Sequence, residues 1–155
     1  MAIEIVLVEP EIPQNTGNIA RTCVAAGVKL HLIEPLGFSV TEKAVKRAGL
    51  DYWEKVQLFV WNDFNAFHRQ MTPQKEEVVI LTKNGSKPFW DMPFMDRLFL
   101  VFGSETRGLP KEILAMYAES SYYIPITGEI RCLNLSTSVG IALYESLRPG
   151  KPLKL

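Results

Sequence analysis

Three short segments gather the side chains best able to bind a ligand or handle a proton. The first reads Pro13-Gln14-Asn15-Thr16-Gly17-Asn18-Ile19-Ala20-Arg21, an amide-rich turn opening onto a helical stretch that carries a guanidinium. Asn15 or Thr16 can cap that helix, and the free N–H groups at its start suit an anion such as an RNA phosphate. Taken alone, the segment also fits a capped surface helix with a solvated arginine. The second, Gly103-Ser104-Glu105-Thr106-Arg107-Gly108-Leu109-Pro110, sets two opposite charges between glycines that permit close backbone approach to a ligand. The third, Arg131-Cys132-Leu133-Asn134-Leu135-Ser136, leads into a helix bearing Ser136, Ser138, Gly140 and Ala142. An irregular apolar-polar loop before a small-residue helix suits a pocket that grips a flat base by its backbone groups. Such a helix can equally lie close to another backbone, in the same subunit or in a partner.

Several chemistries are disfavoured by the same residues. The second segment superficially resembles a phosphate-binding loop, but Leu109-Pro110 stands where Lys and Ser/Thr would hold phosphate and magnesium. No G-x-G-x-x-G occurs, so a nicotinamide dinucleotide is a poor guess. His31 and His68 both lie outside the three segments, which leaves histidine without an obvious role as base. Cys23 and Cys132 are far apart with no C-x-x-C pair, so neither a disulfide framework nor a zinc site is expected, and no metal is called for.

The segments need a scaffold, and the chain supplies one in alternation. Apolar β-rich runs at 3–8, 30–33, 57–60, 78–81, 98–102 and 121–124 read as buried parallel strands. Helical composition with plausible caps lies between and after them, at 17–26, 41–48, 63–71, 110–117 and 136–147. The expected fold class is therefore α/β, a mostly parallel sheet with helices on both faces. Ligands of such sheets sit beyond the carboxyl ends of the strands, where all three segments fall, together with the turn-rich exit Thr82-Lys83-Asn84-Gly85-Ser86.

At 155 residues, 47% apolar and 22% charged, the chain is expected to form a single domain over 1–155 rather than a disordered or membrane protein. No apolar run reaches the ~18 residues of a membrane span, and an acid at Glu4 with no basic flank argues against a signal peptide, so a cytoplasmic location is expected. The formal net charge of zero excludes a simple basic nucleic-acid binder. An RNA partner would have to use local patches: Lys43, Lys46 and Arg47; Arg21, Arg107 and Arg131; and the tail residues Arg148, Lys151 and Lys154. Ordinary solvated helix surfaces would look the same.

Taken in order, the segments resemble the three motifs of the SPOUT superfamily of RNA methyltransferases, the second extended back to Leu100-Val101-Phe102. Within it the chain is similar to the TrmL/YibK type, which methylates the ribose of the tRNA wobble nucleotide. His31-Leu32-Ile33-Glu34-Pro35-Leu36-Gly37-Phe38 and Arg47-Ala48-Gly49-Leu50-Asp51-Tyr52 share the likeness, which covers nearly the whole chain. The resemblance implies the minimal pattern of this type, expected to be without the extra RNA-binding domains that many relatives carry.

The resemblance implies an α/β fold with a deep C-terminal trefoil knot, which no periodicity could suggest. It implies S-adenosylmethionine as methyl donor, bound bent in a pocket lined by Leu81, Gly103, Ile124, Cys132, Leu133, Ile126 and Ser136. Cys132 departs from the usual Ser, harmlessly if the contact is through the main chain. It also implies that Arg21 acts on the ribose hydroxyl. Because a guanidinium stays charged, Arg21 is read as orienting an RNA phosphate and stabilising a developing alkoxide, with Asn15, Glu105 and Asn134 completing a polar shell. The partners implied are the tRNA anticodon loop and a second copy of the chain, the RNA site combining both subunits. Three alternatives stay open: another tRNA or rRNA position, a carbon-directed methyltransferase with Cys132 as nucleophile, and a non-catalytic RNA-binding module.

Overall fold

Burial on both faces is what an apolar run needs to become a central parallel strand, and the chain is built around such runs. The computed structural model describes residues 2–41, 43, 47 and 52–148. Its elements in chain order are β1 (Ala2–Val8), α1 (Pro13–Ala26), β2 (Lys29–Ile33), β3 (Leu58–Trp61), α2 (Phe64–Met71), β4 (Val78–Leu81), β5 (Lys87–Pro88), β6 (Arg97–Phe102), α3 (Lys111–Met116), β7 (Ser121–Tyr123) and α4 (Leu135–Ser146). All seven strands are parallel, in the order β3-β2-β1-β6-β4-β7-β5.

Alternation along the strands divides the core in two. Ile3, Ile5 and Leu7 of β1 meet Ile19 and Cys23 of α1 and Val139, Ala142 and Leu143 of α4 on one face. Val6 and Val8 meet Phe67 of α2 with Ile113 and Tyr117 of the α3 region on the other. Each such aliphatic side chain, fully buried, contributes about 1.5–3 kcal/mol, so the two layers fix which strand ends and helix starts come together.

The structure corrects the expected start of α1. Ile12 is the N-cap residue and makes no side-chain cap; Pro13 takes the first turn, where its fixed φ and missing N–H do no harm. Asn15 and Thr16, expected as caps, therefore lie inside the helix and are buried. The helix ends as glycine permits, with Gly27 left-handed at φ 67° and its N–H on the Val24 carbonyl at 3.2 Å. Of the expected helix at 41–48 the described residues include Thr41, Lys43 and Arg47 alone, and the lysines at 46, 151 and 154 lie outside them.

The two-residue β5 was not expected from the sequence, and it changes the topology. β4 and β5 flank β7 on opposite sides, so residues 82–86 must cross one face of β7. Thr82 N–H donates to the Tyr122 carbonyl at 2.9 Å and Ser86 N–H to the Ser121 carbonyl at 3.0 Å. Gly85 passes so close to the Tyr122 backbone that a Cβ there would collide with it. The segment that says little as sequence is thus a strap over β7.

One polar group sits deep in this apolar sheet. Glu4 of β1, 3% exposed, accepts from His31 Nε2 of β2 at 2.6 Å, and Trp61 of β3 donates its indole N–H to His31 Nδ1 at 3.0 Å. Phe59 stacks on the imidazole and the edges of Phe67 and Phe99 close round it. Burial alone would push the Glu4 carboxyl up; the His31 hydrogen bond and charge, with Lys29 and Arg97, outweigh it and hold Glu4 below the usual carboxylate range.

Candidate active site

At the carboxyl rim of the sheet, three loops distant in sequence are tied by one chain of side-chain hydrogen bonds. Glu105, in the loop after β6, accepts from Glu11 N–H at 2.7 Å and Ile12 N–H at 3.1 Å ahead of α1, and from Asn15 Nδ2 at 3.4 Å. Asn15 Oδ1 in turn accepts from Asn134 Nδ2 at 3.0 Å. Asn134 then caps α4, its Oδ1 accepting from Ser136 N–H at 2.9 Å, Ser136 Oγ–H at 2.6 Å and Thr137 N–H at 3.4 Å. All three sequence-predicted polar residues meet here, although they come from three separate segments.

The chain also answers where the α1 dipole finds its anion. The position expected for a phosphate at the start of this helix is taken by the Glu105 carboxylate, which complements the partial positive charge there. Glu105 and Arg107, the opposite charges of this loop, are not partners; Arg107 Nε lies 3.5 Å from Glu11, which also accepts from the Thr106 hydroxyl at 2.7 Å. Hydrogen bonds from Thr106 and Ser104, helped by the Arg107 charge, hold the Glu11 carboxyl below its ordinary range. Glu11 escapes a sequence reading because its partners lie some 95 residues away.

The two glycines of the second segment are each required by geometry. Ser104 and Gly108 exchange backbone hydrogen bonds of 3.2 and 3.1 Å, folding the loop back on itself, and a Cβ on Gly103 would strike the Gly108 carbonyl carbon. Gly108 itself is left-handed at φ 67°.

The residues proposed for a cofactor pocket cluster along this rim by element. Leu81 ends β4 and is buried, Gly103 follows β6, and Ile124 follows β7. Ile126, Leu133 and Ser136 are half-buried in or just after the loop before α4, whereas Cys132 is exposed. The peptide groups of residues 124–133 make no backbone hydrogen bond with any described residue. Residues 124–126 and 133 are half-buried and residues 127–132 exposed, so the main-chain groups of the half-buried stretch, beside Ile124, Ile126 and Leu133, can face a ligand between aliphatic walls.

Arg21 stands apart from the chain of hydrogen bonds. Asn15 and Arg21 are six residues apart on α1, roughly 120° round the helix, and Arg21 is exposed. Its guanidinium lies 5.0 Å from the centre of the Tyr52 ring, and among the described residues no hydrogen bond joins it to Asn15, Glu105 or Asn134. The expected polar shell around Arg21 is therefore not assembled within one copy of the chain. Tyr52 carries no sequence signal of its own beyond its place in a resembling segment. Of the two cysteines, Cys23 is ruled out as a nucleophile, since burial pushes its thiol up to about 12.

The sequence model of the SpoU rRNA Methylase family matches residues 2–144. The chain is 45% identical over 145 residues to the tRNA (cytidine(34)-2'-O)-methyltransferase of Burkholderia cenocepacia, covering 93% of each. A solved structure described as "Structural insights into the 2-OH methylation of C/U34 on tRNA" superposes with a TM-score of 0.86 at 42% identity over 95% of each chain. An AdoMet-bound rRNA methyltransferase from Sinorhizobium meliloti superposes with a TM-score of 0.84 at 26% identity, over 94% of this chain and 55% of that one.

Proposed function

Because the chain belongs to the SpoU rRNA methylase family, we propose that it methylates the ribose 2′-hydroxyl of the wobble nucleotide, cytidine or uridine 34, in a tRNA anticodon loop. The observation that carries this reading is the Glu105–Asn15–Asn134 chain, which fastens the three motif loops into one rim at the carboxyl end of the sheet. S-adenosylmethionine, when bound, supplies an electrophilic methyl group on a sulfonium. Peptide groups of Gly103 and of residues 124–133 would hold it between Leu81, Ile124 and Leu133, with Cys132, Ile126 and Ser136 at the edges.

The protein's task is then alignment, the ribose hydroxyl giving up its proton to solvent water rather than to a side chain. Holding oxygen, methyl and sulfur in line lowers the barrier by about 7–11 kcal/mol in ideal cases. Asn15, Glu105 and Asn134 serve this by keeping the loops in register, since their polar atoms are committed to one another and to backbone. Arg21 is the group left to touch RNA: its donors bind a phosphate and stabilise charge growing on the ribose oxygen.

That division supports a homodimer, in which Arg21 of one copy completes the rim of the other. α1 and α4 lie side by side on one face of the sheet, Tyr144 of α4 is exposed, and nothing stands within 4 Å of a Cβ built on Gly140. The trefoil knot belongs to the same reading. Its support is the strap 82–86 across β7 and the return of α4 from β7, near one edge of the sheet, to β1 and β6 at the centre. One domain spanning 1–155 and a cytoplasmic place of work follow from the same proposal.

Methyl transfer to unfractionated tRNA, with the product nucleotide mapped by mass spectrometry, tests the reading. Arg21→Ala is expected to lower turnover about 10²-fold or more while the calorimetric affinity for S-adenosylmethionine stays within about twofold. Methylation at another nucleotide, or a donor that binds without transfer, overturns the assignment. Light scattering at micromolar concentration checks the dimer.

A further inference from the structure

We propose that Tyr52 is the positioning residue for Arg21, holding the guanidinium by its ring face so that its donors stay free for RNA. The inference rests on the methyl-transfer reading given above.

Arginines elsewhere in the structure show what the alternative looks like. Arg97 spends its fork on Glu77 at 2.7 Å and on the Met71 and Thr72 carbonyls. Arg107 lies against Glu11, and Arg148 is paired with Glu145 at 3.0 Å. A carboxylate partner fixes a guanidinium but neutralises it and occupies the N–H groups a phosphate would need. An aromatic face attracts the cation through its quadrupole and leaves every N–H on the rim of the plane available. At 5.0 Å from the Tyr52 ring centre and with no carboxylate partner among the described residues, Arg21 has that second arrangement alone, whereas Arg97, 5.1 Å from the Phe99 ring centre, adds its bonds to Glu77.

The backbone that carries the ring is anchored. Tyr52 precedes the short 3-10 turn Trp53–Lys55, and its carbonyl accepts from Lys55 N–H at 2.8 Å. Trp53 and Val56, which both follow Tyr52, pack against the core that α1 covers. A long, exposed arginine side chain is thus placed by a surface tied to the core. Without the ring, Arg21 would sample many rotamers, and misplacement of a positioned group by about 1 Å can cost about 10²-fold in rate.

The experiment is steady-state methylation of tRNA by Tyr52→Phe, Tyr52→Leu and Tyr52→Leu in an Arg21→Lys background. Tyr52→Leu is expected to lower kcat by about tenfold to a hundredfold with donor affinity unchanged, and Tyr52→Phe to restore kcat to within about twofold of the parent. In the Arg21→Lys background, Tyr52→Leu should cost less than about twofold more, because the group it positions has gone. Parental kcat in Tyr52→Leu, equal losses in the Phe and Leu variants, or additive losses with Arg21→Lys would each overturn the proposal. Should Tyr52→Leu fail to fold, Tyr52→Trp, which keeps a ring face, must retain kcat, and its failure to do so overturns the proposal.

A parent protein that transfers no methyl defeats the reaction reading, and the contact is then judged by NMR of the free protein. Ring-current-shifted Arg21 δ-protons in the parent and in Tyr52→Phe support it. Unshifted protons in the parent overturn it.

Discussion

Glu4 and Glu105 are both carboxylates with partners on other elements, yet they sit in opposite settings. Glu4 lies between strands, 3% exposed, joined to an imidazole that is 0% exposed and walled by aromatic rings. Glu105 lies at the open end of the sheet and binds backbone N–H groups and an amide rather than a histidine. The first looks more like catalytic machinery, since a carboxylate orienting a histidine is a recurrent acid–base device. But no reacting oxygen can reach that buried imidazole, and Trp61 already donates to its second nitrogen at 3.0 Å. The rim chain has no proton to offer and has access. In this fold, proximity of titratable groups marks a buried tie between three strands, and the amide chain lies at the accessible rim where the proposed methyl transfer would take place.

The comparison is most exposed to His31→Ala. Removing the imidazole leaves Glu4 buried, with Lys29 at 3.7 Å as its remaining ion pair. Breaking a buried pair from one side costs about 3–5 kcal/mol, so the urea midpoint should fall sharply. Turnover per folded molecule and donor affinity should not change. A His31→Ala protein of parental stability that had lost turnover would reverse the roles assigned to the two networks.

Glu105→Ala attacks the other side, with the opposite signature. The N–H groups of Glu11 and Ile12 lose their acceptor but lie near solvent, so stability should fall by no more than about 1–2 kcal/mol. The loops ahead of α1 and after β6 lose their common tie, and kcat should drop about 10²-fold, a loss of alignment rather than of a reacting group. Unfolding curves and single-turnover methylation on one preparation separate the two effects. A purely thermodynamic cost would reduce the rim chain to a structural brace.

How much of this was visible in the sequence follows from the range of each interaction. The strands at 78–81 and 98–102 could be read because a parallel strand covered on both faces is apolar throughout, a signal held within a few residues. β5 could not, being two residues with a proline and paired solely to β7. Asn15, Glu105 and Asn134 were singled out by type, but their mutual bonds span 90 and 119 residues, and nothing local says which acceptor meets which donor. The same holds for Glu105 standing where a phosphate was expected, and for Arg21 resting on Tyr52. The start of α1 failed for a local reason: two good capping residues follow a proline that claims the first turn.

Cys132→Ser is the mildest change and sharpens the comparison from within the rim. Cys132 is exposed, in a loop whose backbone rather than side chains is the expected ligand surface. Exposed substitutions away from caps and cores change stability by about 0.5 kcal/mol or less, and a main-chain contact does not register the atom exchanged. Donor affinity and kcat should therefore both stay within about twofold. A serine cannot replace a thiolate in covalent attack on a base carbon, so a Cys132→Ser protein with no methyl transfer would move the reaction from the ribose to the pyrimidine ring. A loss confined to donor affinity would instead place the Cys132 thiol, and not its peptide group, against the cofactor.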